Sequence, residues 1–228
     1  MATSPQRKYH LSAVHAPAPT SPLRFVISDC PDPSSLPEYV VALTRAAPTV
    51  RHLVRLSASV AGGAHAYDSA PLVAAGISVH DWAAFDDGGV PSAAQVAKWI
   101  AFLATLVVAA VAEDASEAPV VAVHCVSGIG RAPLLVALAT VESGIDALDA
   151  VSSVRALRRG ALNNVQVRWL ADYRPKKTLA DLKRARKAAA TYSEDADDNE
   201  NDSAVPPPST SVKKPGLWAR ISGKKSSK

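Results

Sequence analysis

The stretch Val121-Ala-Val-His-Cys-Val-Ser-Gly-Ile-Gly-Arg131 constrains the fold more than any other in this chain. Ala118 to Val123 is an apolar, valine-rich run of the kind that forms a strand covered on both faces. Ala132 to Val141 is a strong helix former bounded by Gly144. Between them, Gly128 and Gly130 let the backbone curl so that successive N–H groups face one bowl, and the helix N-terminus beyond adds the positive end of its dipole. A bowl of that kind binds phosphate. Cys125 stands at its floor, where the same field favours a thiolate. Arg131 closes the ring with a planar fork for two phosphate oxygens. The expected phosphate-binding set is therefore Val126, Ser127, Gly128, Ile129, Gly130 and Arg131, with Cys125 as nucleophile.

The rest of the chain supplies strands and helices in alternation. Arg24 to Ser28, Val50 to Leu56 and Ile77 to Val79 read as strands, the second β-branched enough to be central. Ser34 or Ser35 can cap a helix running through Glu38 to Ala46, and Ser92 a long one from Ala93 to Glu113. In the long helix Trp99, Phe102, Leu103 and Leu106 fall at near-helical spacing for a core. Further helices are predicted over Pro133 to Glu142, Ile145 to Arg158, Asn163 to Tyr173 and Lys177 to Thr191. The pattern predicts an α/β fold, a mostly parallel central sheet with helices on both faces and the nucleophile at the carboxyl end of a central strand.

Length and hydrophobic content, 228 residues and 48%, suffice for one substantial core and little more. We expect a domain over 23–176 between tails: 1–22, proline-punctuated and disordered, and 177–228, partly helical and then disordered. The net charge of +4 is unevenly placed, because a basic stretch from Lys176 to Lys187 precedes an acidic run from Glu194 to Asp202 and a basic end from Lys213 to Lys228. Such a tail is either a solvated polyampholyte or an electrostatic contact with an anionic membrane. Nucleic acid is a poor partner, since Trp218 alone among aromatics is interleaved with those basic residues. The run Trp99 to Ala112 is short for a membrane span and reads as a buried helix, and no secretory pattern is visible in Met1 to Thr20. Two cysteines make no disulfide framework, which suits a reducing, cytoplasmic setting. No histidine has a Cys or His partner at ligand spacing, so neither metal nor cofactor is expected.

The segment His124-Cys-Val-Ser-Gly-Ile-Gly-Arg-Ala-Pro133 resembles the signature of the phosphatases of regenerating liver, the PRL or type IVA protein tyrosine phosphatases. Asp81-Trp82 with Phe85-Asp-Asp-Gly88 and Pro91-Ser92 resembles the family's acid loop. Arg158-Arg-Gly-Ala161 with Asn163 and Gln166, and Tyr173-Arg-Pro-Lys176, resemble its last blocks. The resemblance implies the Cys-based dual-specificity/tyrosine phosphatase fold. It also implies hydrolysis of phosphoprotein monoesters, phosphotyrosine above all, through a phosphocysteine intermediate. A rhodanese-like sulfurtransferase also holds a cysteine in a loop of amides, but Trp82 and the Asp86-Asp87 pair favour the phosphatase.

A thiolate that displaces an alcohol needs a proton for the departing oxygen, and a carboxylic acid on a neighbouring loop can give it. The resemblance points to Asp87, with Asp86 as its rival, because Ala83 and Ala84 lengthen the loop where the family has a proline and then phenylalanine. His124 would orient the backbone around the nucleophile and favour thiolate, or is merely packed. Val126, Ser127 and Ile129 carry no charge, which fits a single-phosphate ligand better than a multiply phosphorylated inositol. Ala132 stands where many Cys-based phosphatases place a hydroxyl that helps the sulfur leave. The PRL resemblance implies slow, Ala132-limited turnover and a partner class, CBS-domain magnesium transporters of the cyclin-M type. A binding module for such transporters, with incidental catalysis, is the alternative reading. Two features depart from the family: Lys225-Ser-Ser-Lys228 replaces a prenylation box, and Ser57 replaces the cysteine that bonds the nucleophile on oxidation. Cys30 is the remaining candidate for a redox partner.

Overall fold

A computed structural model describes residues 11–15, 23–57, 66–112 and 118–176, together with 179, 181, 182 and 184. Five strands form one sheet in the order β1-β2-β5-β3-β4. Strand β5 (Val120–His124) is central, flanked in parallel by β2 (Arg24–Ser28) and β3 (Val50–Arg55), and β4 (Ser78–His80) extends the sheet in parallel beyond β3. Its side chains alternate between two cores, as the pleat requires. Val121 and Val123 enter one with Phe25, Ile27 and Val54, whereas Val120 and Ala122 enter the other with Val26 and Leu53.

Helices α1 (Leu36–Ala46) and α2 (Ala70–Ala74) cover the second face through Leu36, Tyr39, Leu43 and Leu72. The first face is covered by α3 (Ala93–Ala112), α4 (Arg131–Glu142), α5 (Ala147–Leu157) and α6 (Asn164–Asp172). This is the two-faced α/β arrangement that the sequence predicts. Every residue of α4 is buried, so even Glu142 needs internal partners; Tyr173 Oη and the Lys176 N–H donate to its Oε1 at 2.6 and 3.0 Å. By length and composition α3 could cross a membrane. In the fold its Trp99, Leu103 and Val107 are buried, and the Trp99 indole donates to the Leu135 carbonyl at 3.0 Å, as befits a core helix.

Three local expectations are corrected. Ser12–His15, assigned to a disordered tail, is β1, an antiparallel edge strand on β2. Four residues among prolines are too few for a period, and pairing across the sheet edge decides their conformation. Helix α2 was also missed, because Ala70-Pro-Leu-Val-Ala74 is barely one turn. Ser35 occupies the N-cap of α1 without a side-chain cap bond; Asp32 Oδ1 instead accepts from the Ser35 N–H at 3.0 Å. At α3 the Ser92 cap forms as expected, with Ser92 and Gln95 exchanging bonds. Leu179, Asp181, Leu182 and Arg184 are helical; the other residues of the expected helix 177–191 and of both tails, Leu11 and β1 apart, lie outside the described residues. All described residues belong to one compact unit, Met1–Thr191.

Candidate active site

Four carbonyls of the loop after β5 are tied outward. The Cys125 carbonyl faces His124 Nδ1 at 3.0 Å, and the Val126 carbonyl accepts from the Cys30 N–H at 2.9 Å. The Ser127 carbonyl accepts from Arg158 Nη2 at 2.8 Å, and the Ile129 carbonyl from the Leu162 N–H at 2.9 Å. In a planar trans peptide the N–H points opposite to the C=O. Anchoring these carbonyls outside therefore turns the amides of Val126, Ser127, Gly128 and Gly130 toward the loop's interior, an oxyanion nest. Gly128 is at φ +65°, and a Cβ there would meet the Arg158 guanidinium and sit 2.6 Å from the Ser28 carbonyl, so glycine is required on two counts. Gly130 is the N-cap of α4, and Cys125, 1% exposed, lies at the base of the loop.

Arg131 opens α4 and is itself buried, its Nη1 donating to the carbonyls of Leu56 at 3.0 Å and Phe85 at 3.3 Å. The side chain thus bridges the end of β3 and the acid loop. Asp87 Oδ1 lies 3.2 Å from Arg131 Nε, an ion pair whose angle does not make a hydrogen bond, so the buried Nε–H keeps its donor capacity. The Asp87 carboxylate is 80% exposed, at the mouth of the site. Asp86 is exposed as well, and its carbonyl accepts from the Gly89 N–H at 3.1 Å. Of the two aspartates, Asp87 is the one in ion-pair contact with Arg131.

His124 is fully buried, and burial pushes its imidazole down to about pKa 4, keeping it neutral. A carbonyl can only accept, so Nδ1 carries the proton and donates to Cys125, which leaves Nε2 as an acceptor for the Tyr67 hydroxyl at 2.6 Å. His124 is therefore a neutral brace for the backbone at Cys125; the charged form is not the one the fold holds. Burial raises the Tyr67 phenol well above its usual range, so it stays a donor. Arg55 stacks over the Tyr67 ring at 4.8 Å, donates to the Tyr67 carbonyl at 2.9 Å and holds Asp81 by two bonds of 2.5 Å. This chain of contacts runs from the root of the acid loop to Cys125.

Cys30 is half-buried beside the loop, tied to Val126 through its backbone; the Ser57 hydroxyl donates to its Sγ at 3.7 Å. Burial raises its thiol pKa, and the neighbouring Cys125 adds to the rise. Ala132 is buried directly behind Arg131. Among the described residues no group of three or more His, Cys, Asp or Glu could hold a metal.

Sequence reasoning gave no role to Tyr67 or Arg158. Tyr67 is invisible because nothing local connects it to His124, 57 positions away. Arg158 was quoted only as part of a block; it pairs with Asp29 and supports the Ser127 carbonyl. Leu162, at φ +65°, spends about 1–2 kcal/mol of backbone strain at the point where its N–H meets Ile129.

The family model for protein-tyrosine phosphatase matches residues 66–169. The chain is 41% identical over 151 residues to protein tyrosine phosphatase PRL-1 of Leishmania major, covering 66% of this chain and 81% of that one. It is 38% identical over 176 residues to human protein tyrosine phosphatase type IVA 3, covering 74% and 91%. A solved protein tyrosine phosphatase from Leishmania major superposes with TM-score 0.62 at 37% identity, over 72% of this chain and 98% of that one. Kinase associated phosphatase, at 18% identity, shares the fold alone, with TM-score 0.58 over 76% and 98%. With Cys125, Arg131 and the amide nest in one loop and these relatives spanning the domain, the chain belongs to the PRL, or type IVA, family of protein tyrosine phosphatases.

Proposed function

We propose that this chain hydrolyses phosphotyrosine in proteins through a phosphocysteine intermediate. Cys125 Sγ attacks phosphorus as the P–O bond to the tyrosine breaks, and the leaving oxygen takes the proton of Asp87. Water then attacks phosphorus, Asp87 accepts its proton, and the S–P bond breaks to return the thiolate and release phosphate. Arg131 and the inward amides hold the three other oxygens throughout. The observation that carries this reading is the outward anchoring of the Cys125, Val126, Ser127 and Ile129 carbonyls, which aims the loop's donors at one place above the cysteine. Ile129, 42% exposed, supplies an apolar edge for an aromatic ring, consistent with a protein substrate over a highly charged one. Ala132 offers no hydroxyl to the departing sulfur, and on this reading the second step limits turnover.

The test is hydrolysis of a phosphotyrosine peptide by wild type and Cys125→Ser. Activity confined to wild type is expected; equal activity would refute the mechanism. The CBS-domain magnesium transporter partner, a membrane contact through the tail, a cytoplasmic location and a Cys30 disulfide are further proposals that follow from the resemblance and the charge pattern. Capture of a transporter CBS domain by the Cys125→Ser protein tests the first, which would make binding at this site a role beside catalysis.

A further inference from the structure

The acid loop lacks the proline that would stiffen it, yet it is fastened at four backbone carbonyls by four side-chain donors. Gln95 Nε2 donates to Ala84, Arg131 Nη1 to Phe85 at 3.3 Å, Asn163 Nδ2 to Gly88 at 2.9 Å and Gln166 Nε2 to Gly89 at 3.0 Å. The last two bracket the segment just after Asp87, and both come from the start of α6. There Asn163 Oδ1 accepts from the Gln166 N–H at 2.9 Å and Gln166 Oε1 from the Asn163 N–H at 3.2 Å, a reciprocal capping box. Each amide spends its oxygen inside the helix cap and its nitrogen on the acid loop. The two demands fix the orientation of both amides, since a carbonyl needs a donor and a cap needs an acceptor. Gln166 is buried, and a Cβ on Gly130 would lie 3.5 Å from its Nε2, so the same side chain abuts the phosphate loop.

We infer that Asn163 and Gln166 are positioning residues for proton transfer: they latch the acid loop to the phosphate loop and so hold Asp87 at the mouth of the site. A cap alone would not need amides, because Asp or Ser at the first position and Glu at the fourth supply the oxygens equally well. The nitrogen donors serve the loop. This inference rests on reading Asp87 as the proton donor, and the experiment separates the two.

Asn163→Asp and Gln166→Glu keep the capping oxygens and remove the donors, and Asn163→Ser keeps a neutral cap. For each, kcat/KM is measured on phenyl phosphate, which needs a proton for its leaving group, and on p-nitrophenyl phosphate, which needs little. Thermal unfolding and orthovanadate inhibition report the fold and the phosphate loop. The expected result is a loss of roughly tenfold or more on phenyl phosphate against less than about threefold on p-nitrophenyl phosphate. Vanadate inhibition should be unchanged within about twofold. In an Asp87→Asn background the same substitutions should cost nothing further, because they act through that carboxyl. Equal losses on both substrates, or losses that persist beside Asp87→Asn, would overturn the latch. A flat leaving-group profile for Asp87→Asn itself would instead overturn Asp87 as the donor, and the latch with it.

Discussion

Acidification should destabilise this fold through His124. The imidazole is fully buried, and its pKa falls from the ordinary 6.5 to about 4, chiefly because charging it there would strip it of water. Its proton sits on Nδ1 toward the Cys125 carbonyl and its Nε2 lone pair faces the Tyr67 hydroxyl, so a second proton would reverse that bond and place a charge where no water reaches it. The unfolded chain binds that proton near pH 6.5 and the folded one only near pH 4. Stability is therefore complete above the unfolded value and is lost as pH falls through this window. The full difference amounts to about 3 kcal/mol, of which about 2 kcal/mol is gone between about pH 7.5 and pH 5. His52 and His80, also lowered by burial, move the same way, so the assay takes a difference. Urea unfolding of wild type and His124→Asn is followed at both pH values. The variant, left with an unsatisfied Tyr67 hydroxyl, should be weaker at neutral pH by about 1–3 kcal/mol, with a gap that narrows by about 2 kcal/mol on acidification. A gap that stays constant, or widens, would show that His124 is charged in the fold or exchanges its proton freely there.

Two further substitutions probe turnover and oxidation. Ala132→Ser places a hydroxyl behind Arg131 at a buried position; a bond to sulfur of about 1 kcal/mol should speed breakdown of the phosphoenzyme about fivefold, read as steady-state turnover against the burst. An unchanged rate would put the slow step elsewhere. Peroxide should convert Cys125 to a sulfenic acid that condenses with the Cys30 thiol, forming a disulfide and water. Reductant should then restore wild type but not Cys30→Ser, and equal recovery without a Cys30–Cys125 peptide would leave Cys125 unprotected.

The layers and the Cys125–Arg131 loop were legible because they are written locally. A valine run, two glycines, an arginine and a helix former lie within a few turns of chain, and the fold places them as read. The Ser92 cap and the helix that begins at Asn163 were legible for the same reason. What sequence could not supply are the contacts between segments far apart in the chain. Tyr67 reaches His124, Arg158 reaches Ser127, and Asn163 and Gln166 reach the acid loop only after β3, β5, α5 and α6 are packed. The Ala83-Ala84 stretch that replaces the family's proline says nothing of what holds that loop, because its donors, Gln95, Arg131, Asn163 and Gln166, come from three other segments. The short edge strand β1 was missed for the same physical reason, since its conformation comes from its partner and not from its own residues.

The most direct test of the central claim is the covalent intermediate itself. Wild-type protein is mixed with a phosphotyrosine peptide, quenched in acid within the first turnover and digested, and the phosphorylated peptides are mapped by mass spectrometry. The account predicts a burst of released peptide with phosphate on Cys125, absent in Cys125→Ser and longer-lived in wild type than in Ala132→Ser. Peptide dephosphorylation without a burst and without phosphate on Cys125, or turnover by Cys125→Ser at the wild-type rate, would contradict it.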